Sequence, residues 1–229
     1  METGKTGKYL KYAIGEIILV VIGILIALSI NNWNSHRAYK QNENYLLNEI
    51  LNNLKEDRVQ ILEIIQARQK AKTSTNAMLS YIKTDAFNVD SLSKDLAHFL
   101  TFERYYEVSN AYEMMKSTGL KISNSNLRTQ ISRYYDYEQN KIKSSIIDIE
   151  QNFETLMNND NPIRNNLAHM DKDVVMRLID PYDINFINTL YSKLIGFKDN
   201  NGGTLNKLIA FEAINKELIN AISKELSNP

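Results

Sequence analysis

"YAIGEIILVVIGILIALSI", residues 12–30, is almost wholly apolar but contains one carboxylate, Glu16. Nineteen residues at about 1.5 Å each make roughly 28 Å of helix, close to the hydrocarbon thickness of a bilayer. From Ile17 to Ile30 there are eleven Ile, Leu or Val residues and no charge. On an insertion scale these contribute roughly −3 to −6 kcal/mol, and a carboxylate at the helix centre costs about +2.5 to +3.5. Glu16 lies near the N-terminal end, where the cost is smaller, so insertion wins. A transmembrane helix over 12–30 is the expectation.

The flanks set its direction. Lys5, Lys8 and Lys11 precede the span, while Arg37 and Lys40 follow at greater distance. This bias places residues 1–11 in the cytoplasm and residues 31–229 outside it. Trp33 falls at the far interface, where an indole is favoured as an anchor. Ala27-Leu28-Ser29 imitates a signal-cleavage site, but it lies inside the apolar run with Ile30 after it. The expectation is an uncleaved anchor in contact with membrane lipid.

Glu16 has two readings. On a helical wheel Glu16, Val20, Gly23 and Ala27 share one face, and Gly23-x-x-x-Ala27 lets two backbones approach closely. That face can pack on a neighbouring helix, with Glu16 hydrogen-bonded to it. Alternatively, Glu16 snorkels to the cytoplasmic interface and meets Lys8 or Lys11.

Beyond the span the chain reads as an all-α, up-and-down bundle with two long helices. From Trp33 to about Lys83 there is neither Gly nor Pro, and Leu47, Ile50, Leu54, Ile61 and Ile65 recur at helical steps. This predicts a helix of about fifty residues continuous with the span. "TDAFNVDS" predicts a loop, with Asp90 or Ser91 capping a helix to about Tyr106. A third helix covers about Asn110 to Ser117 and ends at Gly119. Residues 125–158 make the second long helix, with Leu127, Ile131, Tyr134, Ile142, Ile146, Ile149, Phe153 and Leu156 on its apolar stripe. A short helix is expected over Asp173 to Ile179. Asp183 caps another up to Gly196, "DNNGG" at 199–203 turns, and Thr204 caps a last helix to about Leu226.

The charges exclude some partners. Without residues 1–30 the chain carries 24 basic and 25 acidic side chains. No basic field is present to hold a polyphosphate backbone, so no nucleic-acid partner is expected. There is no cysteine, so no disulfide or thiolate metal site can form.

"KYLKYAIGEIILVVIGILIALSINNWN", residues 8–34, resembles the N-terminal signature of a family of uncharacterised bacterial single-span membrane proteins that share a domain of unknown function. Tyr12 to Glu16 and Asn31 to Asn34 carry the match, and residues 111–135 give a weaker second one. The resemblance implies a bacterial inner-membrane protein with a periplasmic helical domain. It implies no chemistry.

No catalytic, cofactor-binding or metal-binding residues are assigned. "GKTGK" at 4–8 lacks the upstream glycine of a phosphate loop. Asp95-x-x-His98 has no second acid-x-x-His to complete a di-iron set, since "NLAH" offers Asn. "RYYE" and "RYYDY" each place a basic residue, two tyrosines and an acid in succession. Arg104, Tyr105, Tyr106, Arg133, Tyr134 and Tyr135 are therefore candidates for a ligand groove, or alternatively for the margin of the core. Three functions fit: a non-enzymatic interaction or scaffold protein binding itself or another envelope membrane protein, a single-span sensor of a small ligand, or an accessory subunit of a proton-driven membrane complex.

Overall fold

A computed structural model describes residues 3–170 and 175–227. The apolar stretch belongs to helix α1, which runs without a break from Thr3 to Tyr81. The chain divides into two units, residues 1–48 and 49–229. In the first, every side chain from Tyr12 to Ala38 is exposed, and the helix is long and apolar enough to cross a membrane.

The second unit is helical around one core. Residues 49–81 of α1 are followed by α2 (Val89–Phe99), α3 (Asn110–Thr118), α4 (Ser125–Arg133), a π-helical turn (Tyr134–Glu138), α5 (Gln139–Leu156), α6 (Pro162–Asn166) and α7 (Ile184–Ser227). Two short strands, β1 (Leu167–Met170) and β2 (Met176–Leu178), pair antiparallel between α6 and α7. Ile50, Leu54, Ile61 and Ile65 of α1 are buried, as their spacing predicts. One end of the core gathers Met78, Leu96, Phe99, Leu156, Phe186 and Leu194.

Several local expectations are revised. The N-cap of α2 is Asn88, whose side chain accepts from the backbone N–H of Ser91 at 2.9 Å. That helix stops at Phe99, so Thr101 to Ser109 form no helix. Gly119 closes α3 at φ 66°, a left-handed conformation that glycine adopts without a Cβ clash. The helix expected over 173–179 is strand β2 at 176–178; its first residues, 173 and 174, lie outside the described residues.

The largest revision is at "DNNGG". Residues 199–203 do not turn; they lie inside α7, which makes a third long helix. Tertiary contacts override the local turn preference. Asn201 is fully buried and donates to the Arg68 carbonyl at 3.1 Å. Thr204, expected as a cap, is buried mid-helix and donates to the Ser145 carbonyl at 3.4 Å.

Asn215 repeats this contact fourteen residues later, donating to the Leu54 carbonyl at 3.0 Å. Leu54 and Arg68 are also fourteen residues apart. The two contacts therefore fix one antiparallel register between α1 and α7. Arg58 donates to Glu212 at 2.8 Å between them. A buried polar residue at heptad intervals is a known way to specify register, because a slip would strand its hydrogen bonds in the core.

Candidate functional site

Residues 101–109 are neither helix nor strand and run along α1 as a strap. Their sequence, "TFERYYEVS", is rich in strand-forming Thr, Phe, Tyr and Val. Polar side chains of α1 hold them in reverse order along the helix. Arg68 donates to the Thr101 carbonyl and, at 3.0 Å, to Glu103. Gln60 donates to the Tyr106 carbonyl at 2.9 Å and accepts from its N–H at 3.1 Å. Asp57 accepts from the Val108 N–H at 3.2 Å, and Asn53 donates to Asn110 at 2.7 Å just beyond the strap. Asn53, Asp57, Gln60 and Arg68 recur at steps of four, three and eight, which is one face of the helix. On its other side the strap is fastened to α5 by ion pairs, Arg104 to Glu150 at 2.7 Å and Lys143 to Glu107 at 2.9 Å.

Beneath the strap lies Asp57, fully buried. Besides Val108, the Tyr134 hydroxyl donates to it at 2.9 Å and the Gln139 amide at 2.7 Å. Gln139 also donates to the Tyr105 hydroxyl at 3.1 Å. Asn215 donates to the Tyr134 hydroxyl at 2.8 Å, joining α7 to the cluster. Phe211 stacks on Tyr134 at 5.1 Å and meets Tyr105 edge-on at 6.3 Å. Burial pushes the Asp57 carboxyl up from its ordinary 3.8 to about 6, and the bonds from Tyr134, Val108, Gln139 and Tyr105 offset that only in part. Burial likewise pushes the Glu103 carboxyl up, against the pull of Arg68 beside it.

The π-helical turn makes this cluster possible. One buried stripe runs through Leu127 and Ile131 to Tyr134 at the start of the turn, and a second runs from Tyr135 within it through Gln139, Ile142, Ile146 and Ile149. The two stripes meet at adjacent residues, which diverge by about 100° in a regular α-helix. One extra residue in the turn, marked by the Gln139 N–H reaching the Tyr134 carbonyl, turns both tyrosines inward. Tyr134 faces Asp57, and Tyr135 stacks on Tyr112 at 4.6 Å.

The six groove candidates therefore separate. Arg104, Tyr105 and Tyr106 border an open groove of about 400 Å³, with Lys143, Ile146 and Glu150 of α5 on the other wall. The two tyrosines of the strap face opposite ways: Tyr105 is 7% exposed and Tyr106 67%. Tyr134 and Tyr135 are in the core, and Arg133 is exposed, donating to Glu138 at 3.2 Å. Asp95 accepts from the Tyr81 hydroxyl at 3.0 Å. In the first unit Glu16, Val20 and Ala27 are exposed, and a Cβ added at Gly23 would meet nothing within 4 Å. Trp33 is exposed, with the Arg37 guanidinium 5.7 Å from its ring centre. The side chains of Lys8 and Lys11, possible partners of Glu16, lie outside the described residues.

A family model described as "Family of unknown function (DUF6090)" matches residues 16–144, more than half of the chain, and the protein belongs to that family. The match takes in Asp57, the strap and the π-helical turn. Comparison with curated proteins and with solved structures gave no match.

Proposed function

We propose that this family member is a non-enzymatic scaffold of the bacterial inner membrane. In this reading residues 12–30 span the bilayer, residues 1–11 are cytoplasmic and residues 31–229 are periplasmic. The protein works by holding a second copy of itself or another envelope membrane protein. The observation that carries the reading is the helix over 12–30, whose apolar side chains are all exposed and need lipid or another helix to cover them. The face of Glu16, Val20, Gly23 and Ala27 is the proposed packing surface, and Trp33 the interfacial anchor. A non-enzymatic role is supported by the setting of Asp57: its donors are the core's own tyrosine, glutamine and backbone groups, and it is closed to solvent.

The test is extraction of the tagged full chain into mild detergent, followed by native mass spectrometry. The expected result is a stoichiometric protein partner, either a second copy or one other membrane protein. A monomer alone overturns the reading. A monomer carrying a small molecule would favour the sensor, which the groove bordered by Arg104, Tyr106 and Lys143 supports as a second reading. Any ligand there must first contend with the two ion pairs that tie the strap to α5.

A further inference from the structure

Asp57 sits where an ionised carboxylate is costly, because the hydrogen bonds it accepts come from neutral groups. The groups that face it can be followed element by element. The strap offers the Val108 N–H and the Tyr105 hydroxyl, the π-helical turn offers the Tyr134 hydroxyl, and α5 offers the Gln139 amide. Helix α7 contributes Asn215, which reaches the cluster through Tyr134. The nearby cations are engaged elsewhere: Arg58 with Glu212, Arg68 with Glu103, Arg104 with Glu150 and Lys143 with Glu107. Two of the elements around Asp57 are irregular, the strap and the π-helical turn. The strap is the thinner cover, a single non-helical stretch held largely by side chains.

We propose that the strap over residues 101–109 is a proton-sensitive cover, closed over Asp57 when that carboxyl is protonated and lifted when it is ionised. Lifting brings water to a charge that the closed form leaves without a cation. The closed form also suits the neutral acid. A protonated Asp57 can still accept from the Val108 N–H on one oxygen and from the Gln139 amide on the other. The closed form thus holds the proton more tightly than a hydrated carboxyl does, and by linkage the proton favours closure. The carboxyl lies near 6 when closed and near 3.8 when hydrated, so ionisation shifts the open-to-closed ratio by on the order of a hundredfold. Lifting would also part Arg104 from Glu150 and Lys143 from Glu107, and uncover Tyr105 and Phe211. A pH change in the compartment around the domain would then alter the surface it presents.

Hydrogen exchange of the full chain in detergent, read by mass spectrometry between pH 5 and 8 and corrected for the intrinsic rate, tests this. Protection of the strap amides, residues 102–109, should fall by about tenfold between pH 5 and 8, most of it below about pH 6.5. Peptides from residues 60–80 and 205–222 should change little. In Asp57→Asn, which keeps a neutral side chain of the same shape, the strap should stay protected at all pH values. Tyr134→Phe removes a donor to the carboxylate and should move the transition to higher pH. It serves where Asp57→Asn fails to fold. A flat strap profile in the wild type overturns the proposal. So does a profile unchanged by either substitution, or loss of protection spread evenly over the whole unit.

Discussion

Replacing Gly202 and Gly203 together by alanine should stabilise the protein. Both glycines lie in the interior of α7, neither has a left-handed φ, and a Cβ added at either meets nothing within 4 Å. Glycine in a helix interior is about 0.8–1 kcal/mol less favourable than alanine, because it loses more backbone freedom on folding. The sites are open, so no clash offsets the gain. The pair should therefore contribute about 1.6–2 kcal/mol. At roughly 2–4 °C per kcal/mol for a domain of this size class, the midpoint should rise by about 3–8 °C. Thermal unfolding of the full chain in detergent, followed by circular dichroism at 222 nm, measures it. The sign carries the test. Were "DNNGG" a turn with glycine at positive φ, alanine would be strained and the midpoint would drop. A fall in midpoint, or a loss of helical signal, would refute a continuous α7 and the register that Asn201 and Asn215 set.

Further outcomes follow from the buried polar groups. Asp57 binds its proton more tightly folded, near 6, than unfolded, near 3.8. Stability should therefore be greatest below that window and fall by up to about 3 kcal/mol as pH rises through it. Urea unfolding at pH 4.5 and 7.5 should show this trend, and Asp57→Asn should remove most of it. Asn215→Leu removes the amide that donates to both the Leu54 carbonyl and the Tyr134 hydroxyl, and should cost about 1–3 kcal/mol in the same assay. Exposed Asn206→Leu, on the same helix, should stay within about 0.5 kcal/mol of wild type.

The helices were legible where the pattern was long and the punctuation strong. The Gly- and Pro-free run after Trp33 showed α1, and Gly119 marked the end of α3. "DNNGG" misled because turn propensity is local, whereas the buried contacts of Asn201 and Thr204 join α7 to residues far away in sequence. The π-helical turn left no trace, because a step of eight from Tyr134 to Ile142 also fits one face of a regular helix. The strap left one in "TFERYYEV", whose β-branched and aromatic residues are weak helix formers. Asp57 was the hardest to find. A lone aspartate among lysines, glutamates and asparagines reads as a solvated face. Only the strap, brought over it from fifty residues away, makes it a buried carboxylate.

The central claim is that the face of Glu16, Val20, Gly23 and Ala27 packs on another protein in the membrane. Site-specific photocrosslinking in native membranes tests it most directly. A photoreactive residue at position 27 lies on that face, and one at position 25 lies on the opposite side of the helix. The account predicts a discrete protein adduct from position 27, to a second copy or to one other membrane protein, reduced by Gly23→Ile, with lipid adducts dominant from position 25. Lipid adducts alone from both positions, or the same protein adducts from both regardless of Gly23→Ile, would contradict it.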